Sequence, residues 1–247
     1  FWLKHFSHNV GFLILLQHTQ LRMSTYKLCY FDIRGLAETS RMLFAVAKQP
    51  YEDIRLSLTF GTPGDFSTIQ RPEFDEKKAS GELDVSLGKL PYLEVDGVRF
   101  GQSKAIQRYL STQFGMMGST AVEGAQIDAL CEAVIDFKGD YTKAKGTQGE
   151  EEKKAAVEKF FAETLPNSLK LVEKTLSGSG PWLVGTKVSL ADIIYYQFLL
   201  SPQGFFDNTE GAKAAFQECP RIKAAMEAVD AIPELKDYIA NRKVTMM

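Results

Sequence analysis

Histidine is nearly missing from this 247-residue chain: its three copies, His5, His8 and His18, all lie in the first 22 positions. With that stretch set aside, the body has no Ser–His–Asp triad, no Cys–His pair, no His-ligated zinc and no imidazole base. Cysteine is also scarce. Cys29, Cys131 and Cys219 are odd in number, far apart and form no CxxC pair, which excludes a disulfide framework and points to a reducing, cytoplasmic setting. Neither charge dominates. Twenty-nine basic and 31 acidic side chains leave a net charge of −2, so nothing steers nucleic acid and no polybasic run marks a membrane surface. The longest apolar stretch of residues 1–22, at 10–16, falls far short of the ~20 residues that span a bilayer. That segment lacks a small-residue cleavage site and reads either as translated upstream sequence or an expression scar, or as a targeting leader. It is left out of the fold.

From Met23 onward the composition, 45% hydrophobic and 24% charged overall, is that of an ordinary globular protein. YKLCYF at 26–31 reads as a buried strand, residues 37–48 as a helix and 51–58 as a second strand, together a β-α-β crossover unit. Residues 59–88, rich in Gly, Pro and mixed charge, read as a long irregular excursion. The run at 89–100 carries Asp96-Gly97 between apolar segments, a strong hairpin signal, and 104–114 follows as a helix. Beyond 115–118 the pattern is entirely helical, with apolar stripes over 121–145 and 150–176. Ser189 and Asp192 have capping-box spacing, with Val188 placed to staple onto Ile193.

Without histidine, chemistry falls to other groups. Cys29 and Tyr30 are strand neighbours on opposite faces, so only one can meet a ligand. Tyr30 lies nearer the strand's C-terminal end, where open α/β sheets bind ligands, and a phenol there can donate a hydrogen bond to a thiolate. Leu90-Pro91 marks an edge or turn whose Leu90 backbone can pair with an extended peptide. Gln102-Ser103 at a helix start can hold a carboxylate. Each feature also has a plain structural reading: core tyrosine, strand-start proline, ordinary cap. Combined, they describe a site for a short anionic peptide bearing a thiol.

Four motifs, in this order and spacing, carry a resemblance: YKLCYFDIRGLAE at 26–38, GKLPYLEVDG at 88–97, QSKAIQRYL at 102–110 and WLVGTKVSLAD at 182–192. Over residues 23–247 the chain resembles a cytosolic glutathione transferase of the sigma class. The resemblance implies a thioredoxin-like α/β domain at 23–114, a linker at 115–121 and an all-α domain at 122–247. It implies a homodimer, glutathione as co-substrate, and no metal, membrane or nucleic-acid partner. Tyr30 takes the place of the catalytic tyrosine, and Leu90 with a cis Pro91 that of the backbone clamp on the cysteinyl part of glutathione. Lys89 falls at the glycyl end, and Gln102 and Ser103 at the γ-glutamyl end. Phe74 and Lys78 stand for the family's Trp-x-x-x-Lys contacts, and Asp136 reaches glutathione in the partner subunit. Tyr141 is expected to line the electrophile pocket. Departures are Leu36, where the family often has a second arginine beside the tyrosine, and Ile135, which interrupts an acidic trio otherwise kept as Glu132 and Asp136. Two rival readings keep the fold: a non-catalytic module of the same family and a thiol transferase using Cys29.

Overall fold

The computed structural model describes residues 24–62, 65–202 and 204–245; the segment 1–22 lies outside the described residues. The N-terminal unit is a four-stranded mixed sheet in the order β2-β1-β5-β6. Strand β1 (Tyr26–Phe31) runs parallel to β2 (Glu52–Leu56) through α1 (Glu38–Val46), and antiparallel to β5 (Tyr92–Val95). β5 turns into β6 (Val98–Gly101), and α3 (Ser103–Gln113) packs back onto the sheet. This is the thioredoxin-like βαβ–ββα arrangement. Asp96 and Gly97 both have positive φ, 49° and 89°, as the two-residue hairpin requires, and Val95 pairs with Val98 across it.

Alternation along β1 divides two cores. Tyr26, Leu28 and Tyr30 face α1 and α3 and join the main core with Phe44, Ile106 and Leu110. Cys29 faces the other way, into a small cluster with Leu56, Phe74, Leu83 and Tyr92. The expected irregular stretch at 59–88 is mostly ordered. A short hairpin of β3 (Thr59–Phe60) and β4 (Ile69–Gln70) precedes α2 (Pro72–Ala79), which closes the Cys29 face. Helix α2 has a single buried residue, Phe74. Proline at its start, acids in its first turn and Lys77 and Lys78 in its last favour it locally.

The second unit is helical throughout: α4 (Ala121–Lys145), α5 (Glu150–Lys159), α6 (Leu165–Glu173), α7 (Leu190–Leu199), α8 (Thr209–Ala215), α9 (Pro220–Asp230) and α10 (Pro233–Asn241). The amphipathic run at 150–176 is divided by a π-helical turn, Phe160–Thr164, just before Pro166. The wider turn accommodates a proline that lacks an N–H and clashes with the preceding carbonyl. Helix α7 is the axis of the unit: apart from Gln197 its residues are buried on every side. Its start carries the capping box. The Asp192 carboxylate accepts from the Ser189 N–H at 2.8 Å, the Ser189 hydroxyl at 2.6 Å and the Leu183 N–H at 2.9 Å. Burial pushes this carboxyl up to about 6 although these donors pull the other way. Among the described residues no helix is long and apolar enough to cross a membrane.

Candidate active site

Tyr30 leaves the sheet just before a tight turn, and that turn is built against its ring. Gly35 has φ +40°, and a Cβ on it would stand 2.8 Å from the Tyr30 hydroxyl and 2.9 Å from its Cε1. Only glycine accepts both the conformation and the approach. Burial raises the phenol's pKa, while a backbone hydrogen bond from Leu36 and the Arg41 charge act in the opposite sense. The hydroxyl therefore stays protonated at neutral pH and can donate.

A set of charged residues that the sequence reading passed over holds this turn. Arg41 is fully buried, donates to the Ile33 carbonyl at 2.7 Å and pairs with Asp53. It also faces Glu38, itself 2% exposed, which binds Arg242 and accepts from the Tyr238 hydroxyl at 3.0 Å. Arg34 donates to the backbone and side chain of Thr245 at 3.2 Å, and Lys243 pairs with Asp32. The signal was present: Arg41 stands on the same stripe of α1 as the buried Ala37 and Phe44, where an apolar residue belongs.

The Leu90-Pro91 bond is cis. Pro91 ends the ladder, since β5 begins at Tyr92, and no hydrogen bond among the described residues occupies the Leu90 N–H or C=O. The preceding loop is anchored by Ser86, whose hydroxyl donates to the Lys89 carbonyl at 2.7 Å and the Leu83 carbonyl at 2.9 Å. Lys89 is exposed, and the stem of Lys78 passes beside Gly88, 3.6 Å from where a Cβ would sit. At the start of α3, Gln102 adopts φ 72° and ψ 107°, a strained conformation for a residue with a side chain, and its amide does not cap the helix. Such strain gathers at ligand sites. The first helical bond of α3 runs from Ile106 N–H to the Gln102 carbonyl, so the N–H groups of Ser103, Lys104 and Ala105 precede the ladder.

The structure corrects two assignments. Phe74 lies beneath the sheet, 5% exposed, against Phe31, with the Arg71 guanidinium over its ring, so it fills core rather than meeting a ligand. Tyr141 is 6% exposed and ringed by Phe160, Phe161, Phe205 and Phe206; it belongs to the aromatic core of the helical unit, not to a pocket wall. Asp136 is exposed on α4 and makes no ion pair among the described residues, whereas Glu132 on the same helix is bound by Arg108. Cys29 is wholly buried. Burial raises its thiol pKa despite a hydrogen bond from Tyr92, the reverse of what a reactive thiolate needs. A separate groove of ≈ 530 Å³ lies between β2 and α10, but Asp53 pairs there with Arg55, while Glu234 and Lys243 are taken up by Lys48 and Asp32 outside it.

Comparison with known proteins bears on the fold and the family. Residues 26–112 match the family described as Glutathione S-transferase, N-terminal domain, and residues 135–242 match Glutathione S-transferase, C-terminal domain. Glutathione S-transferase 4 of Caenorhabditis elegans is 33% identical over 229 residues, covering 90% of this chain and 98% of the relative. Hematopoietic prostaglandin D synthase of Gallus gallus is 34% identical over 223 residues, covering 90% and 99%. The crystal structure of the glutathione S-transferase from Ascaris lumbricoides superposes with a TM-score of 0.66 at 31% identity, covering 90% of this chain and 98% of that one. With both domains matched in order and relatives above 30% identity along nearly their whole length, the chain belongs to the glutathione S-transferase family.

Proposed function

We propose that Tyr30 is the catalytic residue of this glutathione transferase, and that the cleft edged by Leu90-Pro91 and the start of α3 holds the tripeptide. The observation that carries the reading is the enclosed hydroxyl of Tyr30, set against the Gly35 turn at the C-terminal end of β1. The unoccupied backbone groups of Leu90 suit strand-like pairing with the cysteinyl residue. The free N–H groups of α3, with the Ser103 hydroxyl and the Gln102 amide, suit the γ-glutamyl carboxylate and amine, because a helix N-terminus favours negative charge. Lys78 and Lys89 flank the opposite end, where the glycyl carboxylate falls.

A free thiol has a pKa near ~8.5 and is only a few per cent ionised at pH 7. Tyr30 donates to the sulfur and so favours its ionised form, and the thiol proton passes to solvent. The sulfur lone pair then forms a bond to the electrophilic carbon. Either a leaving group departs with its electron pair or, in addition to an activated alkene, the carbanion takes a proton. Two chains pair in this reading, with Asp136 contributing to the partner's tripeptide site. Exposed Val85, Leu87 and Val98 around β6, together with unpaired Asp136, support it. Three free, buried cysteines support a cytosolic setting.

The test is Tyr30→Phe, which keeps the ring and its packing. Glutathione binding is expected to survive while turnover at pH 7 falls, and the deficit is expected to shrink as pH approaches the free thiol's own pKa. Wild-type turnover in Tyr30→Phe together with an inactive Cys29→Ser would transfer the chemistry to the thiol.

A further inference from the structure

Among the described residues, three cations join the Tyr30 turn and the start of α1 to residues 242–245, and they are unequal. Lys243, paired with Asp32, has a side chain 62% exposed, so water screens the pair. Arg34 reaches neutral oxygens, the carbonyl and hydroxyl of Thr245, both at 3.2 Å. Arg242 differs on both counts. Its side chain is 7% exposed and that of its carboxylate partner Glu38 is 2% exposed. Its guanidinium is also shared between two acceptors: Nη1 donates to Glu38 Oε1 at 2.5 Å and Nη2 to the Pro202 carbonyl at 2.5 Å. Two segments far apart in the chain are thereby held the width of one planar fork apart.

One of these segments supports Tyr30. Glu38 opens α1 and follows directly on the tight turn Gly35–Ala37. Gly35 stands so close to the Tyr30 ring that a Cβ on it would lie 2.8 Å from the phenol oxygen. A shift of Glu38 is therefore carried, within a single helical turn, to the backbone that touches the hydroxyl. The other segment is firmly built. Pro202 follows α7, whose residues apart from Gln197 are buried, and the N–H groups of Leu200 and Ser201 both bond to the Tyr196 carbonyl, at 2.9 and 2.8 Å. Thr39, the neighbour of Glu38, bonds to Gln197 of the same helix, so α1 meets α7 at this end too. The second Glu38 oxygen accepts from the Tyr238 hydroxyl at 3.0 Å, a bond that leads to α10 and not to α7.

We propose that Arg242 is a positioning residue for the transfer reaction: by joining Glu38 to the Pro202 carbonyl it sets the Tyr30 turn against the end of α7, and so places the hydroxyl that meets the glutathione sulfur. The inference rests on the Tyr30 reading. The fork is what the task needs. A lysine keeps a charge beside Glu38 but has one nitrogen in place of two and does not span both acceptors. Catalysis is sensitive to such placement, because a donor works only where the reacting atom will be.

Arg242→Lys removes the fork and keeps the charge. Tyr238→Phe is the control, since it takes a different hydrogen bond from the same carboxylate and leaves the fork whole. Both are read at a temperature where circular dichroism shows them folded. The measured quantities are the apparent pKa of the bound glutathione thiol, followed by the ultraviolet absorbance of the thiolate, and the steady-state constants. In Arg242→Lys that pKa should rise by about half a unit, with an about three-fold loss of turnover at pH values below it and none well above it. The Michaelis constant for glutathione should stay as it is, and in Tyr238→Phe neither quantity should move. In a Tyr30→Phe background Arg242→Lys should add no further shift, because the group it places is gone. A shift that persists in that background, or equal shifts in Arg242→Lys and Tyr238→Phe, overturns the inference and assigns Arg242 to packing. A raised thiol pKa in Tyr30→Phe beside an unmoved one in Arg242→Lys counts against the inference alone. A wild-type thiol pKa in Tyr30→Phe overturns the Tyr30 reading, and this inference with it.

Discussion

Gly35 offers a way to move the Tyr30 hydroxyl without changing Tyr30. In Gly35→Ala the new methyl group meets the phenol oxygen at 2.8 Å and Cε1 at 2.9 Å, both inside any normal contact. The ring is 7% exposed and packed edge-to-face on Phe31, so it cannot simply swing out to solvent. Two costs add: about 1–2 kcal/mol for placing a residue with a Cβ at positive φ, and about 1–3 kcal/mol for overpacking. Gly97→Ala is the control. Gly97 has φ +89° in the exposed hairpin turn, and nothing lies within 4 Å of its Cβ position, so this variant bears the backbone cost alone. For a chain of this size ~1 kcal/mol moves the melting temperature by about 2–4 °C. Gly97→Ala should therefore melt a few degrees low with its turnover per folded molecule intact. Gly35→Ala should melt lower still. Its hydroxyl is displaced by several tenths of an ångström, and kcat should drop about ten-fold, on a scale where misplacing a group by ~1 Å costs ~10²-fold. The Michaelis constant for glutathione should change little, because the Leu90 and Ser103 sides of the cleft are untouched. Thermal melts and steady-state kinetics on both variants decide the matter. If the two melt alike and both turn over at the wild-type rate, the turn does not position Tyr30 and the reasoning fails.

Three further outcomes are expected. Lys138 titrates near 8 when folded against 10.5 ordinarily, so its charge costs stability below about pH 8 and the cost is relieved as pH rises toward 10.5. Lys138→Met should therefore exceed the wild type in urea unfolding at pH 7, by at most about 3 kcal/mol, and the gap should close by pH 10; an equal gap at both pH values would contradict this. Asp192→Ala strips the acceptor from two buried N–H groups and the Ser189 hydroxyl, and should lower stability by about 3 kcal/mol, while a loss under ~1 kcal/mol would show that water replaces the carboxylate. Asp136→Asn should raise the Michaelis constant for glutathione and leave kcat at saturation unchanged; an unchanged constant alongside monomers in sedimentation assigns Asp136 to assembly.

What the sequence shows of this fold is whatever local chemistry decides. Asp96-Gly97 needs positive φ at both positions and has it, and Ser189 with Asp192 caps α7 because the spacing leaves those groups facing each other. Strand parity separated Cys29 from Tyr30, and the two cores keep them apart. Helix α2 escaped notice because PEFDEKKA contains one large apolar residue and therefore no stripe; its evidence was the order of its charges. Tyr141 was misplaced for a different reason. Helical period shows that it faces something apolar, but whether that is a cleft or a core depends on Phe205 and Phe206, more than sixty positions downstream. The charged clasp around Arg41 and Glu38 also depends on distant partners, and no spacing rule connects residue 38 to residue 242.

That clasp bears on how the enzyme is made. Arg34 reaches Thr245 across 211 positions, Lys243 reaches Asp32 across the same interval, and Arg242 closes on Glu38 across 204. During synthesis the pairing of β1 with β2 and β5, and of β5 with β6, needs only residues 26–101, whereas α1 also packs on α7 and α10. The turn behind Tyr30 cannot be clasped then, because the residues that clasp it are still untranslated. Closing so long a loop is entropically expensive unless the helical unit has already folded and brought its end back to the sheet. Closure of the turn behind Tyr30 is therefore a late step of folding. A chain cut before residue 242 should leave the buried Glu38 and the half-buried Asp32 each short of one cation, with Arg41 and Arg55 their remaining partners.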